Sequence, residues 1–251
     1  MARRRILNIE VDDLTLQEFL EQFDAGFVVT PNVDHLVVLQ SRPDFLEVYR
    51  RADFATVDSQ IVKWALGFLG TPVKARLSGS DVFPAFCNFH GHDPEVKIFL
   101  LGGRDDVAEV AARRINARIG RPMVVGWRSP SLSFVTDEHE VTDVIAQIEA
   151  SGANVLAVGL GAPKQELWID THRHRLPSIR RFMAVGATLD FEAGKVQRAP
   201  ARVSQAGMEW LHRLLSEPGR LWHRYLVRDP KFLWLVLLQR FGLYRDPHPR
   251  P

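Results

Sequence analysis

The sequence is poor in the residues from which disulfides and metal sites are built. Cys87 is its only cysteine, which excludes an internal disulfide and a cysteine-rich metal site and is typical of a reducing cytoplasm. No Asp-x-Asp pair occurs, so the chain lacks the usual means of holding a divalent ion against a nucleotide diphosphate. His35 could ligate a metal, but no second ligand follows at a convincing spacing. We therefore expect neither a metal nor a cofactor.

Long apolar runs are missing as well. The nearest candidate, residues 232–238, is far shorter than the roughly 18 apolar residues that a spanning helix needs. The amino end begins with basic residues, as a secretory signal does, but Glu10, Asp12 and Asp13 come before any useful apolar stretch. These features predict a protein that is not integral to a membrane.

Charge is distributed unevenly along the chain. Residues 195–251 hold 11 Lys and Arg against 4 Asp and Glu, a net charge of +7, whereas the rest, with 21 against 26, carries −5. The same tail holds three of the six tryptophans, Trp210, Trp222 and Trp234. Basic residues interleaved with aromatic ones are typical of a segment that meets anionic membrane headgroups, although nucleic acid attracts the same charge. A third interpretation is that the apolar residues pack on the core and the arginines are solvated.

Short apolar runs alternate with segments of helical periodicity in residues 1–194. The runs are continuous in apolar residues, as in parallel strands covered on both faces. This rhythm predicts an α/β fold, a Rossmann-like parallel sheet between helices, followed by a basic helical appendage in residues 195–251. Strands are predicted over 26–30, 54–57, 96–101, 123–125, 155–160 and 181–185. Helices are predicted over 43–51, 60–69, 106–119, 137–150 and 165–175.

Two glycine-rich junctions follow predicted strands. Gly102 and Gly103 precede a helix, where backbone N–H groups favour a phosphate, but the junction could equally be a tight connection. The acidic residue that a dinucleotide site needs about 20 positions further on is missing, which disfavours NAD. At the second junction, Gly159 and Gly161 precede the polar residues Lys164, Gln165 and Glu166. These either line a ligand site or cap their own helix.

Asp58 ends another predicted strand and precedes a helix. Such an aspartate is either an N-cap or a carboxylate at the mouth of the sheet, where it can take a proton from a hydroxyl group. Thr30 and Asn32 end the preceding predicted strand and could line the same mouth, because ligands bind beyond the carboxyl ends of parallel strands.

Taken in order, these motifs resemble the bacterial WecG/TagA/CpsF glycosyltransferase family over nearly the whole chain. The similar stretches are residues 30–32 with Asp34 and His35, 52–58, 78–81, 100–103, 126–130, 159–166, 185–187 with 190–191, 198–200, 209–214, 217–218 and Arg220. One departure stands at residues 57–59, where family members usually have Pro-Asp-Gly and this chain has Val-Asp-Ser.

The resemblance implies inverting transfer of a sugar from a UDP-sugar to a saccharide on a polyprenyl diphosphate, in envelope or exopolysaccharide synthesis. The sugar would be N-acetylmannosamine, its uronate or glucose. By position, Asp58 would be the general base, and Thr30, Asn32 and Gln165 would surround the sugar. The resemblance also implies that the C-terminal appendage docks on the membrane. Its arginines that would contact the lipid diphosphate are Arg213, Arg220 and Arg224.

Partners and location follow from the same resemblance. The expected partners are the UDP-sugar, the lipid-linked glycan and an anionic membrane surface, without nucleic acid, while homo-oligomerisation stays open. The expected location is cytoplasmic, peripheral on the inner face of the bacterial cell membrane. The alternative is a nucleotide- or nucleic-acid-binding α/β regulator with a basic arm. Against it, the tail mixes its arginines with Trp210, Leu214 and Trp222 at helical spacing, whereas a nucleic-acid arm needs only charge.

Overall fold

The structure, a computed structural model, describes residues 2–197, 203, 207–216 and 218–249, with the backbone alone at positions 209, 213, 216 and 220. Its strands are β1 (Arg3–Ile6), β2 (Ile9–Asp12), β3 (Gly26–Val29), β4 (Phe54–Ala55), β5 (Ile98–Gly102), β6 (Val124–Arg128), β7 (Val155–Gly159) and β8 (Arg181–Ala184).

The α-helices are α1 (Leu16–Gln22), α2 (Val33–Val38), α3 (Pro43–Arg51), α4 (Gln60–Phe68), α5 (Gly79–Phe89), α6 (Val107–Ile119), α7 (Glu138–Ala150), α8 (Lys164–His172), α9 (Thr188–Ala193), α10 (Glu209–Ser216), α11 (Pro218–His223) and α12 (Pro230–Arg240). Short 3₁₀ turns occupy Phe134–Thr136 and Arg173–Arg175, and a π-helical turn occupies Arg224–Arg228.

The chain forms two compact units, each assembled from separate stretches of sequence. The first consists of Met1–Gln17, Thr30–Ser78 and Arg198–Pro251, and the second of Glu18–Val29 and Gly79–Gln197. The predicted boundary after residue 194 lies close to the point where the chain returns to the first unit. The interpretation of residues 195–251 as a separate appendage stays a prediction.

The second unit contributes five parallel strands, in the order β3-β8-β7-β5-β6. Every residue of β5 and β8 is buried. Because successive side chains of a strand point to opposite faces, both faces of this sheet are covered. Helix α6 contacts β5 and β6, and α8 contacts β7 and β8. The predicted α/β fold, with a parallel sheet flanked by helices, is confirmed.

In the first unit, the C-terminal helix α12 packs into the same core as the amino end. Phe232 and Val236 of this helix are buried. The backbone N–H of Leu7 donates to Gln239 Oε1 at 2.7 Å, and α12 also contacts α2. Removing the C-terminal segment would therefore expose apolar side chains of the first unit and leave polar groups without partners.

The predicted elements agree with the structure, but several elements were not predicted. Helix α3 has the predicted bounds, and the other predicted helices and strands differ by a few residues at their ends. The β1–β2 hairpin was not predicted, nor were α1, α2, α5 and α9. Of these helices, α5 begins at Gly79 and contains Pro84. Glycine and proline disfavour a helix, so only the burial of its apolar face accounts for α5.

The first glycine junction provides a test of packing at the carboxyl ends of the strands. Gly102 has a φ of 134°, and a Cβ atom there would collide with the carbonyl oxygen of Gly159. We expect Gly102→Ala to lower the free energy of unfolding by about 3 kcal/mol or more, since both backbone strain and a clash oppose it. The matched control is Gly120→Ala, at a φ of 79° with open space around the added methyl; it should cost about 1–2 kcal/mol. Equal losses in denaturant unfolding would contradict the clash.

Candidate active site

A cavity of about 270 Å³ in the first unit joins the loop before α2, the turn before α4 and the C-terminal helices. Polar and aromatic side chains from all three line it, among them Asn32, Asp58, Trp210, Arg224 and Tyr225, and Arg76 joins them from the connection after α4. A concave site that combines apolar walls with a few convergent polar groups is the usual form of a ligand site.

Asp58 lies at this cavity on the turn between β4 and α4. Its backbone N–H donates to the carbonyl of Pro31 at 3.1 Å, which ties the turn to the loop before α2. The N-cap of α4 is the next residue, Ser59, whose hydroxyl accepts the N–H of Ile61 at 3.2 Å. Asp58 is therefore not the cap of this helix. Ser59 has an ordinary extended conformation, with φ −105°, so this position does not require the glycine that family members usually have.

Asn32 and Asp34 hold Arg224 at the same cavity. Asn32 is the N-cap of α2, and its Oδ1 accepts the N–H of His35 at 3.1 Å and Arg224 Nη2 at 3.3 Å. Arg224 Nε lies 3.3 Å from Asp34 Oδ2. The cap of one short helix thus also positions a guanidinium group that comes from the other end of the chain.

Two more charged residues complete this cluster. Arg228 Nη2 lies 2.5 Å from Asp34 Oδ1, so one carboxylate pairs with two arginines. Asp229 lines the cavity, with Oδ2 3.8 Å from Arg224 Nε. Burial raises the pKa of Asp229 to about 6, and the nearby Asp34 carboxylate adds to this while the arginines oppose it.

His35 is buried next to this cluster and contacts a tyrosine hydroxyl. Its Nδ1 lies 2.6 Å from the hydroxyl of Tyr49, and burial, followed by the charges of Arg224 and Arg228, lowers the pKa of His35 to about 3. The ring is therefore neutral at physiological pH. Across the described residues, no group of three His, Cys, Asp or Glu side chains is arranged to hold a metal ion.

The glycine junctions lie in the second unit and have a packing explanation. The N–H of Gly103 donates to the carbonyl of Gly159 at 3.2 Å. A Cβ atom on Gly103 would collide with the side chain of Val107, and one on Gly159 would lie 2.8 Å from the carbonyl oxygen of Gly186. These contacts favour the tight-connection interpretation. A role of Gly102, Gly103 and Gly159 in binding a ligand stays a prediction.

Gln165 and Glu166 are buried at the second junction, whereas Lys164 is exposed. Gln165 Oε1 accepts the N–H groups of Gly161 and Gly186 at 3.2 and 3.1 Å, and its Nε2 donates to Glu166 Oε1 at 2.8 Å. Burial raises the pKa of Glu166 to about 7, which the hydrogen bond from Gln165 only partly offsets. The side-chain amide therefore fastens two loops of the second unit, and contact with a sugar stays a prediction.

The structure unites some of the predicted site residues but not all of them. Asn32, Asp58 and Arg224 share the cavity of the first unit, and Thr30 is buried in that unit without lining the cavity. Arg213 and Arg220 lie in α10 and α11, but their side chains are outside the described part of the chain, as are residues 198–200.

Arg228 is a site residue that the sequence analysis missed. Its spacing of four from Arg224 was the available signal, because residues four apart share one face of a regular helix.

Comparisons with known proteins identify the family of this chain. The model of the glycosyl transferase WecG/TagA/CpsF family matches residues 4–246. The N-acetylglucosaminyldiphosphoundecaprenol N-acetyl-beta-D-mannosaminyltransferase of Bacillus spizizenii is 30% identical over 219 residues, which are 87% of this chain and 81% of that relative. The match disfavours the nucleic-acid-binding alternative. The chain therefore belongs to the WecG/TagA/CpsF family and is a UDP-sugar-dependent glycosyltransferase.

Proposed function

We propose that the enzyme transfers N-acetylmannosamine from its UDP derivative to N-acetylglucosamine carried on a polyprenyl diphosphate, with inversion at the anomeric carbon. The observation that carries this proposal is the cavity of the first unit, where the Asp58 carboxylate, the Asn32 amide and the Arg224 guanidinium meet. The choice of sugar and acceptor rests on the activity for which the Bacillus relative is named.

The chemistry assigned to Asp58 is that of a general base. In an inverting transfer, the acceptor hydroxyl attacks the anomeric carbon and its proton passes to a base, while the bond to the UDP oxygen breaks. A half-buried carboxylate that is not used to cap its helix fits this role. The amide of Asn32 would orient the sugar next to it.

Arginines supply the charge that a diphosphate needs. Arg224 lies at the cavity with Asp58, and a guanidinium group can donate two parallel hydrogen bonds to phosphate oxygens. Arg76 also lines the cavity. We assign these side chains to the phosphate-bearing parts of the substrates, with no metal ion in the role.

Peripheral attachment to an anionic membrane is the second part of the proposal. No helix in the described ranges is long and apolar enough to cross a bilayer. On α12 and just beyond it, Leu233, Trp234, Leu237 and Phe241 follow helical spacing and are 40–71% exposed, opposite the buried Phe232 and Val236. An exposed face of this kind, on a basic segment, suits the headgroup boundary, where a polyprenyl diphosphate is found.

Donor and acceptor can be tested in one assay that detects released UDP. The acceptor is a short-chain polyprenyl-diphosphate N-acetylglucosamine. We expect kcat/KM to be at least about tenfold higher for UDP-N-acetylmannosamine than for UDP-glucose or UDP-N-acetylmannosaminuronate, because polar groups of the site discriminate between sugar substituents. Activity should persist in excess EDTA. Preference for another sugar would contradict the assigned donor, and loss of activity restored by Mg²⁺ or Mn²⁺ would contradict metal independence.

Asp58→Asn tests the assignment of the base. The amide cannot take the proton, so we expect kcat to fall by about 10² to 10⁴ while the Kd for UDP stays within about twofold. Asp53→Asn makes the same change at an exposed carboxylate of the first unit that does not line the cavity, and it should leave kcat nearly unchanged. Near-normal turnover of the Asp58→Asn variant would remove Asp58 from the mechanism.

Vesicle sedimentation tests the membrane surface. Replacing Trp234 and Phe241 by serine should lower the fraction bound to anionic vesicles at least about tenfold, since two large apolar side chains no longer enter the interface. The control replaces Phe89 and Leu132, which are 50% and 79% exposed in the second unit, by serine. Equal binding by both double variants would show that this face does not meet the membrane.

A further inference from the structure

One buried carboxylate in the first unit forms ion pairs with two arginines. Asp34 is 8% exposed, and its two oxygens lie 3.3 Å from Arg224 Nε and 2.5 Å from Arg228 Nη2. The arginines begin and end the π-helical turn, whereas Asp34 lies in α2. The position of both cationic groups therefore depends on a single side chain from a distant part of the sequence.

Both arginines keep donors for a ligand. A guanidinium carries several N–H groups, and the described contacts use two nitrogens of Arg224 and one of Arg228. Arg224 lines the cavity, and the side chain of Arg228 is 39% exposed. The remaining N–H groups match what a dianionic diphosphate requires.

The two cations also need Asp34 electrostatically. Side chains of like charge four residues apart in a helical segment repel each other, and part of this pair is withdrawn from water. A carboxylate that contacts both groups offsets that repulsion. Because Asp34 contacts only Nε of Arg224 and Nη2 of Arg228, it leaves the other N–H groups of both guanidinium groups for a ligand.

We propose that Asp34 is a positioning residue that holds Arg224 and Arg228 together as a two-arginine site for a substrate diphosphate. This inference rests on the proposed function, because it assumes that the cavity takes a diphosphate. Two substrates carry that group, namely the UDP-sugar and the lipid-linked acceptor. Asp34 and Arg228 act on binding, in contrast to Asp58, which acts on proton transfer.

The test compares Asp34→Asn and Arg228→Gln with the full-length wild type. We measure the Kd for UDP by calorimetry, and the KM for the polyprenyl-diphosphate acceptor and kcat at saturating donor. At least one of the two constants, Kd or KM, should rise about tenfold or more in each variant, because a charge-assisted contact is lost or displaced. At saturation kcat should change less than about threefold. A rise in Kd assigns the site to UDP, and a rise in KM assigns it to the lipid diphosphate.

A coupling measurement separates positioning from a structural role. If Asp34 acts through Arg228, the rise in Kd or KM in the double variant Asp34→Asn/Arg228→Gln should be clearly smaller than the product of the rises in the two single variants. The matched control is Asp13→Asn, which removes another buried carboxylate of this unit that accepts from an arginine, Arg4, at 3.0 Å but does not line the cavity. It should lower the melting temperature without raising either constant.

Three outcomes would overturn the proposal. In the first, Kd and KM both stay within about twofold of wild type in folded Asp34→Asn and Arg228→Gln. In the second, Asp34→Asn binds UDP or the lipid-linked acceptor more tightly than wild type does. In the third, the Asp13→Asn control raises Kd or KM as much as Asp34→Asn does. If Asp34→Asn does not fold, the more exposed Arg228→Gln decides. The UDP measurement does not depend on turnover, so it stays readable even if the wild type fails to transfer the proposed sugar.

Discussion

The ion pairs of Asp34 with Arg224 and Arg228 are the contacts on which the candidate active site depends. They join α2 to a turn about 190 residues later in the sequence, and Asn32 adds a hydrogen bond across the same join. Burying these charges costs solvation free energy, which only close pairing with good geometry offsets. A cluster of this kind adds little to stability, but it defines where the C-terminal segment meets the start of α2, next to the loop that is bonded to the turn of Asp58. The cavity exists because that meeting point is fixed.

The second unit depends on a different constraint. At the ends of its strands, backbone atoms approach so closely that there is no room for side chains. Glycines at the ends of β5 and β7 allow neighbouring strand ends to touch, and the amide of Gln165 fastens the loops after β7 and β8. An amide oxygen that accepts two N–H groups inside a protein is rigid, since each lost bond would leave a buried donor unpaired. The carboxyl edge of this sheet is thus held by hydrogen bonds rather than by charge.

Much of the fold could be predicted from the sequence because its signals are local. Continuous apolar runs identify buried parallel strands, and helix α3 begins at a proline and carries arginines in its last turn, which are favourable helix-end residues. Helix α5 could not be predicted, since Gly79 and Pro84 oppose it and only tertiary burial favours it. The composition of the tail was visible, but the partner of its arginines was not. Nothing in the sequence near Asp34 indicates that its counter-ions lie at positions 224 and 228.

The discontinuous make-up of the first unit has a consequence for synthesis of the protein. The second unit is complete once residue 197 has been made, whereas the first needs residues 198–251 to join segments made much earlier. Domains fold as units while the chain emerges from the ribosome, so the parallel sheet can form while the cavity still lacks one of its walls. The order of synthesis thereby makes completion of the cavity a late event, because Trp210, Arg224 and Tyr225 are among the last residues to appear. A nascent chain released early would contain the sheet without the site.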